Sequence, residues 1–101
     1  VIRTHAITPD TIKDMVAKYY NLSPKELSGK KRVRHIARAR QMAMALVRDF
    51  TDTSLIDIGQ AFGGRDHSTV IHACDKVASL CQEDEQFNKD YRALSATLEM
   101  I

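Results

Sequence analysis

Residues 54–80 read SLIDIGQAFGGRDHSTVIHACDKVASL, and the punctuation of this stretch decides the class of fold. Ser54 stands where a helix N-cap belongs, with Asp57 three residues on as the second member of a capping box. Leu55, Ile58 and Phe62 then recur at spacings of three and four, which marks one apolar helix face. Gly63-Gly64 ends that short helix and makes positive φ available for a sharp turn. Asp66 is placed to cap a second, longer helix whose core face is Val70, Cys74, Val77 and Cys81. A short capped helix, a glycine turn and a longer helix together form a helix-turn-helix.

Outward from this unit, the same signals recur. Thr8-Pro9-Asp10 combines a hydroxyl cap, a proline at the first helical position and an acid in the first turn, so a helix carrying Ile12, Val16 and Tyr19 starts there. It ends near Asn21-Leu22, and the capping box Ser23 to Glu26 opens a short second helix that Ser28-Gly29 stops. A third helix is expected over 33–50, with Ile36, Ala39, Ala43, Leu46, Val47 and Phe50 as its apolar stripe and Arg34, Arg38, Gln41 and Arg48 opposite. After the acidic break at 83–85, a helix over 86–100 buries Phe87, Tyr91, Leu94 and Leu98. No segment has the pattern of a strand. The expected fold is all-α, a bundle of about six helices in one domain spanning 1–101.

Composition narrows the function. No run approaches the length of apolar sequence that crosses a bilayer, and VIRTHAITPD lacks the apolar core of a signal peptide, so the expected location is the cytoplasm. Cys74 and Cys81 lie on one helix about 10 Å apart, too far for a disulfide. His72 and Cys74 do not share a helix face, so two reduced core thiols are expected and no metal. The net charge is only +2, but its distribution is uneven. Lys30, Lys31, Arg32, Arg34, Arg38 and Arg40 follow one another without an acid, whereas Glu83, Asp84, Glu85, Asp90 and Glu99 collect at the other end. One basic end suits a polyanionic partner. Catalytic readings fail on the residues. The Gly29-Lys30 pair lacks both the first glycine and the hydroxyl of a phosphate-binding loop, and no nucleophile, base and acid set has a supporting context. The chain is not expected to be an enzyme.

The chemistry at 66–69 fits duplex DNA. Asp66, His67, Ser68 and Thr69 offer an acceptor, an imidazole and two hydroxyls at the start of a helix, groups that meet base edges in a major groove. Asp66 is also readable as a helix cap alone, and His67 and His72 as ordinary surface or core histidines. A carboxylate beside phosphates makes sense if it accepts from cytosine N4, which penalises other bases. His72 falls one turn beyond Ser68 and Thr69, away from the apolar stripe. The basic run from Lys30 through Lys31 and Arg34 is readable as a solvated face, a membrane-surface patch or a phosphate contact. Its other face is alanine-rich and lacks the wedge of a membrane helix, which favours phosphates, with an arginine of the arm entering a narrow minor groove. The alternative from another class is a helical interaction module whose basic run docks an acidic partner.

With Arg32, ARARQMAMAL at 37–46 and GGRDHSTVIHACDKV at 63–77, the chain resembles the C-terminal DNA-binding domain of the bacterial replication initiator DnaA family, from about Ile7 to Leu98. The resemblance implies recognition of short nonamer boxes at replication origins and at promoters. It implies Arg32 as the minor-groove reader, Asp66, His67 and Ser68 as major-groove readers, and Thr69 and His72 close to the backbone. It further implies phosphate contacts from Arg40, Gln41 and Arg48 and a thymine-methyl contact from Leu55. The family often has Pro where this chain has Ala39 and Ile56, and Thr where it has Ser68, so the methyl contacts at Ile56 and Ser68 are altered and the box preference is expected to be slightly relaxed. Double-stranded DNA is the expected partner, bound as one monomer per box. No cofactor is expected, since ATP and magnesium belong to an ATPase domain that these residues do not include.

Overall fold

A computed structural model describes residues 7–100. The remaining residues at either end, which the single-domain expectation also spans, lie outside the described residues. Six helices follow one another: α1 Pro9–Tyr19, α2 Pro24–Ser28, α3 Arg34–Phe50, α4 Leu55–Ala61, α5 His67–Glu83 and α6 Glu85–Glu99. No strand occurs among the described residues.

Start signals and structure agree closely. The Thr8 hydroxyl accepts from the Thr11 amide at 3.1 Å, and Ser54 accepts from the Asp57 amide at 3.1 Å. At α2 the box closes from the other side, with the Glu26 carboxylate accepting from the Ser23 amide at 3.0 Å. That donation holds the Glu26 carboxyl below its ordinary value. Asn21 takes the left-handed conformation (φ 60°) that lets the chain reverse after α1.

Helix α3 packs against all five others. The expected single stripe is therefore too narrow. Met42, Ala43, Met44, Ala45, Leu46 and Val47 are all buried in succession, so the middle of α3 is enclosed on every side. An all-round apolar helix is a core helix rather than a surface one. Around it Ile12 and Val16 of α1, Leu27 of α2, Ile58 and Phe62 of the α4 end, Val70 and Val77 of α5, and Phe87, Leu94 and Leu98 of α6 complete the core. Phe50, Cys74, Cys81 and Tyr91 sit only part-buried at its edge. Burial pushes both thiols above their ordinary value.

The turn between α4 and α5 is built on close backbone approach. Gly63 (φ 89°) and Gly64 (φ 75°) both have positive φ, which glycine adopts without penalty. Gly59 is fully enclosed in α4, where a Cβ would run into the Arg65 carbonyl. The Gly59 carbonyl in turn accepts from the Arg65 amide at 2.8 Å. Gly59→Ala is expected to destabilise the domain by about 2 kcal/mol despite alanine's better helix propensity, because the colliding atom is backbone. A thermal melt measures this, and an unchanged or raised midpoint would contradict it.

Candidate nucleic-acid interface

The start of α5 projects its polar groups into solvent. Asp66 has the extended backbone of an N-cap, but its carboxylate does not bond to the helix amides. The Ser68 hydroxyl donates to Asp66 Oδ2, and His67 Nδ1 lies 3.3 Å from Asp66 Oδ1. The Ser68 donation, with His67 as a smaller influence, holds the Asp66 carboxyl below its ordinary value. The expected side-chain cap is thus replaced by a small cluster in which Ser68 and His67 orient the acid outward. Side chains of His67 and Asp66 are 55% and 66% exposed, enough to reach a partner without moving. Ser68 spends its proton on Asp66.

Helix α4 brings an apolar group to the same place. Ile56, Gln60, Gly64, Arg65, Asp66 and His67 line one depression of about 430 Å³. Ile56 is 63% exposed there, whereas Leu55 packs part-buried against the core. Of these two adjacent apolar residues, both singled out in the sequence, Ile56 is the more outward. Gln60, one turn after Ile56 and exposed, was not singled out by sequence reading, although its i+4 spacing from Ile56 places it on the same face.

A second depression runs between α3 and α5. It has a volume of about 530 Å³, and its lining includes Arg40, Gln41, Arg65, Thr69, His72, Asp75 and Lys76. Gln41, Thr69 and His72 are brought together here. Lys76 was missed, yet Thr69, His72 and Lys76 recur at three and four along α5, so periodicity carried the signal. Arg48 and Arg34 are not part of this group. Exposed Arg48 lies further along α3, in a neighbouring depression with Asp49, Cys74 and Asp75. Exposed Arg34 lines a third depression with Tyr20, His35, Arg38 and Phe87.

Arg40, implied as a phosphate contact, lines the same depression but is only 8% exposed. Its Nε donates to the Leu27 carbonyl at 2.8 Å, Nη2 to Glu26 at 3.0 Å and Nη1 to Lys31 at 3.2 Å. The cause is the carbonyl end of α2, which has no helical partners of its own and carries partial negative charge. Two further cations meet the ends of α2 and α4. Lys13, 9% exposed, donates to Ser28 Oγ at 2.9 Å and to the Ala61 carbonyl, with its ammonium 4.9 Å from the Phe62 ring centre. Arg65 donates to the carbonyls of Phe62, Ser28 and Gly29. Among the described residues none of the three forms an ion pair with a carboxylate, so their charge is met by carbonyl dipoles and, for Lys13, by the Ser28 hydroxyl and the Phe62 ring as well.

Beyond Lys31 the arm is open. Lys30, Lys31, Arg32, Val33 and Arg34 are all exposed, and 30–33 has no regular structure. No group of three or more His, Cys, Asp or Glu side chains that could hold a metal occurs among the described residues. No helix among them is long and apolar enough to cross a membrane.

Residues 9–77 match the family model described as bacterial dnaA protein helix-turn-helix. The chromosomal replication initiator protein DnaA of Acinetobacter baylyi is 52% identical over 98 residues, which cover 97% of this chain and 21% of that protein. The protein of the same name from Acinetobacter baumannii is 50% identical over 98 residues, with the same coverage. That of Psychromonas ingrahamii is 46% identical over 99 residues, covering 98% of this chain and 22% of the relative. The chain spans 21–22% of the length of these curated relatives.

Proposed function

The chain belongs to the bacterial DnaA helix-turn-helix family, and on that premise we propose that it reads short boxes in duplex DNA for the initiation and regulation of replication. The single observation that carries this reading is the outward cluster of Asp66, His67 and Ser68 at the start of α5, beside an exposed Ile56. In the proposed docking α5 enters the major groove by its N-terminus. The Asp66 carboxylate accepts from a cytosine amine, His67 and Ser68 complete the base contacts, and Ile56, with Leu55 behind it, meets a thymine methyl.

Positioning falls to the backbone contacts. Gln41, Thr69, His72 and Lys76 face phosphates along the α3–α5 groove. Lys31, Arg34 and Arg48 supply outlying charge, and Arg32 enters the minor groove from the arm. One monomer occupies each box. Arg40 contributes by holding the arm rather than by meeting a phosphate.

A competition titration between a box-containing duplex and a scrambled duplex at moderate salt tests the proposal. Preference for the box of about a thousandfold or more is expected. Equal affinity would instead favour a module that docks an acidic protein through its basic run. With about five phosphates neutralised, log K should fall against log salt with a slope near −4.5. Lys31→Ala and Lys76→Ala should each reduce that slope by about one and weaken all duplexes alike. A loss confined to the box would show that these lysines read sequence instead.

A further inference from the structure

The exposed arm and the recognition helix meet through two guanidinium groups that no base contact requires. Arg65, immediately before Asp66, holds the carbonyls of Ser28 and Gly29 together with that of Phe62. Arg40 holds those of Glu26, Leu27 and Lys31. Four consecutive carbonyls, from Glu26 to Gly29, are thus gripped by Arg40 on α3 and by Arg65 in the turn that leads into α5, and Lys31 is pinned next to Arg32. Gly63 lets the two backbones approach, since a Cβ there would run into the Ser28 carbonyl.

We propose that Arg65, with Arg40, is a brace that sets the register between the arm's minor-groove arginine and the major-groove readers on α5, which makes Arg65 a positioning residue for the A/T end of the box. This rests on the box-reading proposal above. The argument is one of geometry. Arg32 is one residue beyond the last pinned carbonyl, so its root is displaced from a fixed point by a single residue step of about 3.8 Å. Freed at Gly29 and Lys31, an unstructured arm would have to be ordered on DNA at an entropic cost, and that cost falls on the contact made by the arm. Lysine does not substitute, because one ammonium lacks the planar fork that spans separate carbonyls.

The test compares wild type, Arg65→Lys, Arg32→Ala and their double variant. Each is titrated with an intact box, a box whose A/T end is replaced by G/C, a box altered at the pair read by Asp66, and a scrambled duplex. Arg65→Lys is expected to lose about tenfold of its preference for the A/T end, with less than about twofold change at the other pair or for scrambled DNA. In the Arg32→Ala background it should add nothing. Equal losses at both ends, or losses additive with Arg32→Ala, would overturn the brace in favour of general support of the fold. Unchanged A/T preference in Arg65→Lys, while Arg32→Ala loses it, would overturn the brace and leave the arm reading intact. A wild type indifferent to the box would overturn the box reading itself. Should Arg65→Lys melt below the assay temperature, Arg40→Lys tests the same brace from α3 with the same expected split.

Discussion

Arg40→Ala is expected to lower stability by about 3 kcal/mol, which for a domain of this size is roughly 15 °C in the thermal midpoint. Three charge-assisted bonds vanish at once; the carbonyls of Leu27 and Lys31 lose the guanidinium donor, and that of Glu26 keeps only the Gly29 amide. Burial already holds the guanidinium somewhat below its ordinary value, with nearby Arg65 adding to this, so the site bears a desolvation cost that the carbonyl bonds offset. Arg40→Lys should recover only part of the loss, since a single ammonium cannot reach three carbonyls together. The contrast with a surface phosphate contact is sharp. An exposed cation changed to alanine would leave the melt within about half a kcal/mol and shift only the salt dependence of DNA binding. Calorimetry of the DNA-free chain separates the two, and an unaltered midpoint for Arg40→Ala would return Arg40 to the phosphate contacts.

The second large effect concerns Asp66→Asn, which should leave the fold intact and remove discrimination at one base pair. Asparagine keeps a side-chain oxygen that serves at a helix N-cap, so the substitution does not uncap the helix. Asparagine keeps an acceptor for the Ser68 hydroxyl but adds an amide donor and removes the charge. Discrimination at the cytosine pair should fall by about 1–3 kcal/mol, while affinity for scrambled DNA holds or rises as repulsion from phosphates is relieved. The Ser68 hydroxyl bond keeps the acid ionised to lower pH than an isolated aspartate. Discrimination should accordingly persist to lower pH than an unperturbed aspartate would allow. Titrations of both proteins against all four pairs at that position measure the effect. A full preference retained by the asparagine variant would move specificity to His67, Ser68 and Arg32.

Helix order, the glycine turn and the polar start of α5 were all legible because their causes are local. Caps, stops and apolar spacing act within a few residues of the groups they satisfy. What escaped was non-local. Lys13, Arg40 and Arg65 look like solvent-facing cations in sequence, yet each ends on carbonyls supplied by another helix end or turn. Nothing in the spacing of α3 reveals that the free carbonyls of α2 pack against Arg40. The apolar run Met42 to Val47 had the signature of all-round burial, but the arginines around it suggested a one-sided helix. Asp66 followed the rule for caps by residue type and departed from it because Ser68 and His67 compete for its oxygens. Leu55 and Ile56 are adjacent and both apolar, and only the packing of α4 decides which one turns outward.

The most direct test of base reading by this chain is a base-by-base substitution scan of a box, titrated with the wild-type protein at fixed salt. Two separate zones of sensitivity are expected, one at the A/T end read by Arg32 and one at the pairs facing Asp66, His67 and Ile56, each substitution costing about 1–3 kcal/mol. A flat profile, with every substituted duplex bound as tightly as the box, would contradict the account.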